Sequence, residues 1–138
     1  MFVGMHAHTF DDKGRVVLPA VYRTEFPEGG YITKLDDCLA IFPKAEFDDM
    51  GVRLQDLVRQ QKAHPNAVRS FMANADNIKP DSQGRISVIN RLRDSVELGR
   101  DVTIVGAGER IELWTPERWA DVQIASDQQL STTFTLGV

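Results

Sequence analysis

The sequence predicts an α+β fold that is built from two internal repeats in one chain, with helices flanking the strands. The phrase Asp-x-x-Gly-Arg-apolar occurs at 11–16 as DDKGRV and again at 81–86 as DSQGRI. Each phrase is followed by short segments rich in β-branched residues, which favour strands. Each copy then ends in a longer segment whose apolar residues recur at helical spacing. Repetition of the same strand, turn and helix signals indicates a duplicated structural unit.

The sequence of the first copy predicts strands and helices in a clear order. A strand at 6–10 enters the Asp-x-x-Gly-Arg turn, and a second strand (VVL) follows it. Pro19 then opens a short helix, PAVYRTEF, because proline is tolerated at a first helical position. YITKL and LAIF form a hairpin around the turn LDDC. A long helix closes the copy, with an apolar face formed by Phe47, Met50, Leu54 and Leu57.

The second copy repeats this order at an offset of 70 and then 72 residues. A strand at 75–79 enters the second turn, and the strand ISV follows it. VTIVG and RIELW form the hairpin, in which Gly106-Ala107-Gly108 is a turn and not a dinucleotide-binding motif. The closing helix begins with Thr115 as N-cap and Pro116 at its first position.

These signals divide the chain into a first repeat with its helix at 1–62, a bridging helix at 63–76, and a second repeat with its helix and a polar tail at 77–138. A unit of this length with four short strands buries too little apolar surface to be stable alone. We therefore expect the two copies to share one core by interleaving their strands about a pseudo-twofold axis.

Composition limits the function classes. The chain has 138 residues, 42% of them apolar and 26% charged, as in a folded globular protein. No apolar run is long enough to cross a bilayer and no export signal is evident, and the single cysteine, Cys38, fits a reducing compartment. We therefore expect a cytoplasmic protein without a membrane partner. The net charge of −4 means that any DNA-binding face must gather its basic groups locally or multiply them by oligomerisation.

Several motifs occur together in a fixed order. They are Met1-Phe2-x-Gly4, His8-Thr9, Asp-x-Lys-Gly-Arg at 11–15, Leu18-Pro19-Ala20 followed by Tyr22-Arg23, and Asp-Ser-Gln-Gly-Arg-Ile at 81–86. Together they closely resemble the MraZ family over residues 1–125, although either Asp-x-x-Gly-Arg alone is a weak signal. The second copy departs from the first where Leu18-Pro19-Ala20 becomes Val88-Ile89-Asn90, which puts the first turn of its short helix in question.

The resemblance implies an AbrB-type swapped-hairpin β-barrel, here completed within one chain. It implies a sequence-specific, DNA-binding transcriptional regulator of the division and cell-wall gene cluster. Such a protein would act on the nucleoid as a ring-shaped homo-oligomer, on G-rich direct repeats in its own promoter. No cofactor is implied.

The candidate site lies around the two turns. Asp11, Gly14, Asp81 and Gly84 are expected to fix the turns, because a carboxylate caps turn N–H groups and glycine accepts a positive φ. Arginine can hold phosphate or contact guanine in bidentate fashion. We expect the first copy to be the stronger DNA face because it carries Lys13 beside Arg15. The full set of candidate DNA-binding residues is His8, Lys13, Arg15, Arg23, Arg85, Arg91 and Arg93.

Three alternatives compete with this interpretation. The first is an AbrB-like antitoxin or protein-interaction module, which usually carries one copy and a peptide tail. The second is a small enzyme, and the sequence shows no nucleophile elbow, phosphate loop or paired acid–base motif for it. The third is a metal site at His6 and His8, which share one face of a strand but lack the four ligands of structural zinc. We expect neither catalysis nor metal binding.

Overall fold

The computed structural model describes residues 1–137, which form antiparallel sheets covered by helices. The elements of the first copy and the bridge are β1 (Met5–Thr9), β2 (Arg15–Val17), α1 (Ala20–Arg23), β3 (Gly30–Leu35), β4 (Cys38–Pro43), α2 (Lys44–Arg59) and α3 (Pro65–Ala73). Those of the second copy are β5 (Asp76–Ile78), β6 (Arg85–Ser87), α4 (Asn90–Ser95), β7 (Asp101–Gly106), β8 (Ile111–Trp114) and α5 (Pro116–Thr135). The α+β class is confirmed.

The two copies exchange strands in every sheet. A six-stranded sheet has the order β1-β7-β8-β4-β3-β5, so the first strand of each copy pairs with the third strand of the other. The register is fixed by Met5 opposite Val105 and Tyr31 opposite Asn77. β2 and β6 form a separate two-stranded ribbon. Within the described residues β1 and β5 remain the edges of the large sheet, so its closure into a barrel is not shown.

One apolar core fills the space enclosed by the sheet, the ribbon and the short helices. Equivalent positions of the two copies contribute to it in pairs, and all are buried: Val16 with Ile86, Leu18 with Val88, Tyr22 with Leu92, Phe26 with Val96, and Ile32 with Ile104. Neither copy could form this core alone, because each supplies only one residue of every such pair.

The long helices cover the outer face of the sheet. Phe42, Phe47 and Phe71 join α2 and α3 to β4, and the rings of Phe47 and Phe71 stack with centroids 5.1 Å apart. α5 covers Cys38, Val105 and Trp114 on the other half of the sheet. These aromatic side chains are therefore packing residues.

The short helices differ slightly from the expectation. Pro19 is the N-cap of α1 and not its first residue, and α1 ends at Arg23. In the second copy Ile89 takes nearly the same extended conformation, with φ −64° and ψ 149° against −50° and 138° for Pro19. A β-branched residue populates this region readily, so α4 forms without proline. On α2, Leu57 was expected on the buried face but is 40% exposed.

The last helix is longer than its sequence indicated. Thr115 Oγ1 accepts a hydrogen bond from the N–H of Arg118 at 3.2 Å, as expected of an N-cap. α5 then continues through the segment that was expected to be a polar tail, since neither glycine nor proline interrupts it before Gly137. Its side chains are exposed from Ile124 onward. No helix in residues 1–137 is both long and apolar enough to cross a membrane.

Candidate nucleic-acid interface

The first turn is held by one carboxylate. Oδ1 of Asp11 accepts hydrogen bonds from the backbone N–H groups of Lys13 and Arg15, each at 2.9 Å. Oδ2 accepts from Nε of Arg15 at 2.8 Å. Gly14 has φ 74° and donates its N–H to the Asp11 carbonyl at 3.0 Å. Asp11 therefore fixes both the backbone of the turn and the plane of the Arg15 guanidinium.

The second turn repeats this pattern. Oδ1 of Asp81 accepts from the N–H groups of Gln83 and Arg85 at 2.9 Å, and Oδ2 accepts from Nε of Arg85 at 2.8 Å. Gly84 has φ 76° and donates its N–H to the Asp81 carbonyl at 2.9 Å. The two turns are therefore equivalent in their hydrogen bonding.

Both carboxylates remain ionised well below neutral pH. The backbone N–H of Arg15 is the largest cause that lowers the pKa of Asp11, followed by the Arg15 side chain. Arg85 lowers the pKa of Asp81 in the same way. In an Asp whose folded pKa is lowered, the stabilisation is fully present above the ordinary value of 3.8 and is lost as the pH falls through the lowered value. Neither carboxylate therefore changes its charge in the neutral range.

The ribbon brings the two arginines to one face. Val16 and Ile86 point into the core and are buried, so their neighbours Arg15 and Arg85 point to the solvent face of the ribbon. Arg15 lies opposite Ser87 and Arg85 lies opposite Val17. The two arginines are thus two residues apart in register, about 7 Å along the ribbon. Each is about three-quarters buried at its side chain and engaged through Nε.

The charge difference between the turns is smaller than Lys13 alone suggests. Lys13 is exposed and replaces neutral Gln83, which the sequence analysis used to favour the first copy. Asp12, however, is also exposed and replaces neutral Ser82. The formal charges of the two turns are therefore equal, and only the placement of Lys13 distinguishes the first copy. The sequence reasoning overlooked Asp12.

Arg23 and Arg93 lie behind the turns and bind backbone. Nε of Arg23 donates to the carbonyl of Leu18 at 3.0 Å, and Nε of Arg93 donates to the carbonyl of Val88 at 3.0 Å. Both side chains are half-buried. Each guanidinium also lies against the turn glycine of the other copy.

Arg91 and His8 lie outside the two turns. Arg91 donates to Oδ1 of Asn74 at 3.1 Å, which joins α4 to the end of α3. His8 is half-buried on β1, and its ring centroid lies 6.5 Å from that of His6. Burial, and then the neighbouring His6, lowers the pKa of His8, so its imidazole is neutral at physiological pH. The described residues contain no group of three or more potential metal ligands.

Two further residues at this site, Asn90 and Phe10, were not identified from the sequence. Nη2 of Arg93 donates to Oδ1 of Asn90, and the Arg93 guanidinium lies 5.6 Å from the ring centroid of Phe10. The corresponding positions of the other copy are Ala20 and Pro80. Aligning the copies would have shown these differences, but nothing in the sequence connected them to Arg93.

Comparison with known proteins gives consistent matches over nearly the whole chain. A family model described as "MraZ protein, putative antitoxin-like" matches residues 1–69 and 71–135. A protein named transcriptional regulator MraZ from Thermobifida fusca is 39% identical over 129 residues, which cover 93% of this chain and 90% of that protein. Proteins of the same name from Carboxydothermus hydrogenoformans and Frankia casuarinae are 40% and 43% identical over 120 residues, which cover 86% of this chain and 84% of each relative.

Proposed function

This chain belongs to the MraZ family, and we propose that it is a transcriptional regulator that binds specific sequences of double-stranded DNA through its two Asp-x-x-Gly-Arg turns. The observation that carries the proposal is the pair Arg15 and Arg85 on one solvent face of the β2–β6 ribbon. Their Nε atoms are committed to carboxylates, which orients the planar guanidinium groups before DNA arrives. Pre-orientation reduces the entropy lost on binding.

Arginine at this site favours guanine as a target. A guanidinium donates two parallel hydrogen bonds to O6 and N7 of guanine in the major groove, which is the commonest base-specific contact of arginine. We propose that Arg15 and Arg85 read G-rich direct repeats in this way, with Lys13 adding a phosphate contact. The family resemblance further suggests the chain's own promoter, and the division and cell-wall genes behind it, as the target.

The net charge of −4 supports action as an oligomer. One chain offers few phosphate contacts, and its overall charge repels DNA. Linked copies turn weak contacts into useful affinity when the spacing of the DNA repeats matches that of the subunits. We therefore propose a ring-shaped homo-oligomer that works in the cytoplasm on the nucleoid.

The proposal also includes the type of module that each copy forms and the division of the chain. The strand exchange between the copies supports an AbrB-type swapped-hairpin module in which the second copy replaces a dimer partner. The proposed division is a first repeat at 1–62, a bridging helix at 63–76 and a second repeat at 77–138. The two matched segments of the family model, 1–69 and 71–135, support a boundary near this bridge.

A second candidate is an antitoxin-like module that neutralises a protein partner. The description of the family model favours this candidate, because it includes the word antitoxin. Two complete copies and two long helices favour the regulator instead. Binding to the chain's own upstream DNA separates the two candidates.

The test is a binding titration with upstream DNA at several salt concentrations. Wild-type protein should shift this DNA, and Arg15→Ala should lower the affinity about tenfold and relax the preference for guanine in the repeats. Arg53→Ala is the matched control, because it removes the same charge from an exposed site on α2 that pairs with Glu109. Full binding by Arg15→Ala would refute the site, and no shift by wild type would refute the regulator. A monomeric mass by light scattering would contradict the avidity argument.

A further inference from the structure

We propose that each DNA-contacting turn is held in place by an arginine of the other copy. Arg23 positions the turn that carries Arg85, and Arg93 positions the turn that carries Arg15. The two are positioning residues, not DNA contacts. This inference rests on the proposed function, because it deepens the account of the same site.

The Arg23 side chain lies against the turn of the other copy. Nε of Arg23 donates to the Leu18 carbonyl at 3.0 Å, five residues back in its own copy. The rest of the guanidinium lies on Gly84, where an added Cβ would collide with Nε and Cζ of Arg23. Glycine is thus required at 84 for two reasons: its φ of 76° and the arginine that occupies its side-chain space.

Hydrogen bonds join the two copies at this turn. The N–H of Leu18, whose carbonyl binds Arg23, donates to the carbonyl of Gly84 at 2.9 Å. Leu18, Arg23 and Gly84 therefore hold one another across the boundary between copies. Gly84 adjoins Arg85, whose backbone and Nε are bound to Asp81. Loss of the Arg23 guanidinium opens space beneath this turn and releases the orientation of Arg85.

The mirror arrangement exists at the first turn. Nε of Arg93 donates to the Val88 carbonyl at 3.0 Å, and the N–H of Val88 donates to the Gly14 carbonyl at 2.9 Å. A Cβ on Gly14 would lie 2.8 Å from Nη2 of Arg93 and 3.1 Å from the Val88 carbonyl oxygen. The same contact, formed twice by equivalent residues, indicates a feature of the architecture and not an accident of one side chain.

The two positioning arginines are not equally restrained. Arg93 has two additional partners, the Asn90 amide oxygen and the Phe10 ring. The equivalent positions of the other copy hold Ala20 and Pro80, whose side chains offer Arg23 neither an acceptor nor an aromatic ring. The turn at 11–15 is therefore positioned by Arg93, the more restrained of the two arginines. This gives a structural reason, independent of charge, for the first copy to be the stronger DNA contact.

A double-mutant cycle on upstream DNA tests the crossed pairing. Arg23→Lys keeps the positive charge but loses the planar guanidinium, so a direct phosphate contact would largely survive it. We expect Arg23→Lys to lower the affinity about tenfold in wild type and in Arg15→Ala, but to have almost no further effect in Arg85→Ala. Arg93→Lys should show the opposite pattern: an effect in Arg85→Ala and almost none in Arg15→Ala. Effects that add in every background, or that couple within a copy, would overturn the proposal.

A second measurement needs no DNA. In the free protein, amide NMR signals of 81–85 should shift in Arg23→Lys while those of 11–15 stay in place, and Arg93→Lys should do the reverse. Thermal unfolding of each variant identifies any that fails to fold. If the crossed shifts appear and no variant or wild type binds DNA, the positioning holds and the proposed function fails. If both turns shift equally in each variant, the positioning is refuted.

Discussion

Asp12 and Lys13 are the two residues that distinguish the first turn from the second, where Ser82 and Gln83 stand. Both are exposed, and their charges cancel at long range. At DNA they do not cancel, because a phosphate interacts most strongly with the nearest charge and salt screens the others. The effect of each residue therefore depends on which one the turn presents to the DNA.

Exchanging these residues between copies tests whether Lys13 faces DNA. Lys13→Gln should lower the affinity for upstream DNA several-fold and reduce the salt slope by about one, because one phosphate contact is lost. Asp12→Ser should leave the slope unchanged and raise the affinity slightly. Titrations at three salt concentrations provide the measurement, and Gln83→Lys is the matched gain-of-charge variant. An unchanged slope in Lys13→Gln would place Lys13 away from the phosphates.

For single residues, the sequence predicted which residue types form the turns better than it predicted which residues contact each other. The spacing of Asp11 and Arg15 is local, so a four-residue turn with a carboxylate cap could be predicted from it. Arg23 was expected at the DNA because it matches an arginine of the AbrB-type module that the chain resembles, and Arg93 because it makes the second short helix basic. Their contacts with Gly84 and Gly14 join residues that are about sixty to eighty positions apart, and no local pattern encodes such a pairing.

Among the elements of residues 1–137, α3 has no equivalent in the second copy, and a buried polar contact ties it to the sheet. Oγ1 of Thr33, on β3, donates to the carbonyl of Phe71 at 2.7 Å, and Thr33 is fully buried. Phe71 lies in the last turn of α3, where helix carbonyls need partners outside the helix. The equivalent of Thr33 in the second copy is Val105, which packs beneath α5 and needs no hydroxyl.

Thr33→Val should therefore lower the free energy of unfolding by about 1–3 kcal/mol, because the shape is kept and the Phe71 carbonyl loses its partner. Thr103→Val on β7 is the control, since Thr103 is only half-buried and should cost little. Urea unfolding followed by circular dichroism measures both variants. Equal losses in the two would show that the Thr33 hydroxyl does not anchor α3.

The order of elements was predictable because each has a local signal, and their pairing was predictable only in outline. Period-two segments, turn glycines and the Thr115-Pro116 start each identify one element. The end of α5 was not predictable from the polar residues after 125, since Ser, Thr and Gln tolerate a helix and do not stop it. The register of β1 on β7 depends on which faces meet in the core, which only the folded chain defines.

At the scale of the whole molecule, the single thiol, Cys38, reports on the packing of the outer face of the sheet, where α5 covers it. Cys38 begins β4, near the centre of the six-stranded sheet, and is 2% exposed. Burial, with Glu112 nearby, raises the pKa of its thiol to about 12. The thiolate is the reactive form, so the folded protein should hold Cys38 inert at neutral pH.

We expect a thiol reagent to label Cys38 only when the whole domain unfolds. Labelling should therefore be very slow in buffer, and its dependence on urea should follow the global unfolding curve. Ser82→Cys, on the exposed second turn, is the control and should react at once. Rapid labelling of Cys38 in buffer would mean that α5 or β4 opens locally, without loss of the shared core.

The strand exchange also determines when this chain can fold during its synthesis. β1 is synthesised before β2–β8, yet its partner β7 begins only at Asp101, about ninety residues after β1 ends. Until then the first copy has an unpaired strand edge and half of a core. Pairings of such long sequence separation slow folding and prolong exposure of apolar surface. Because the two copies pair their strands with each other, the chain cannot complete its fold until the second copy is almost complete.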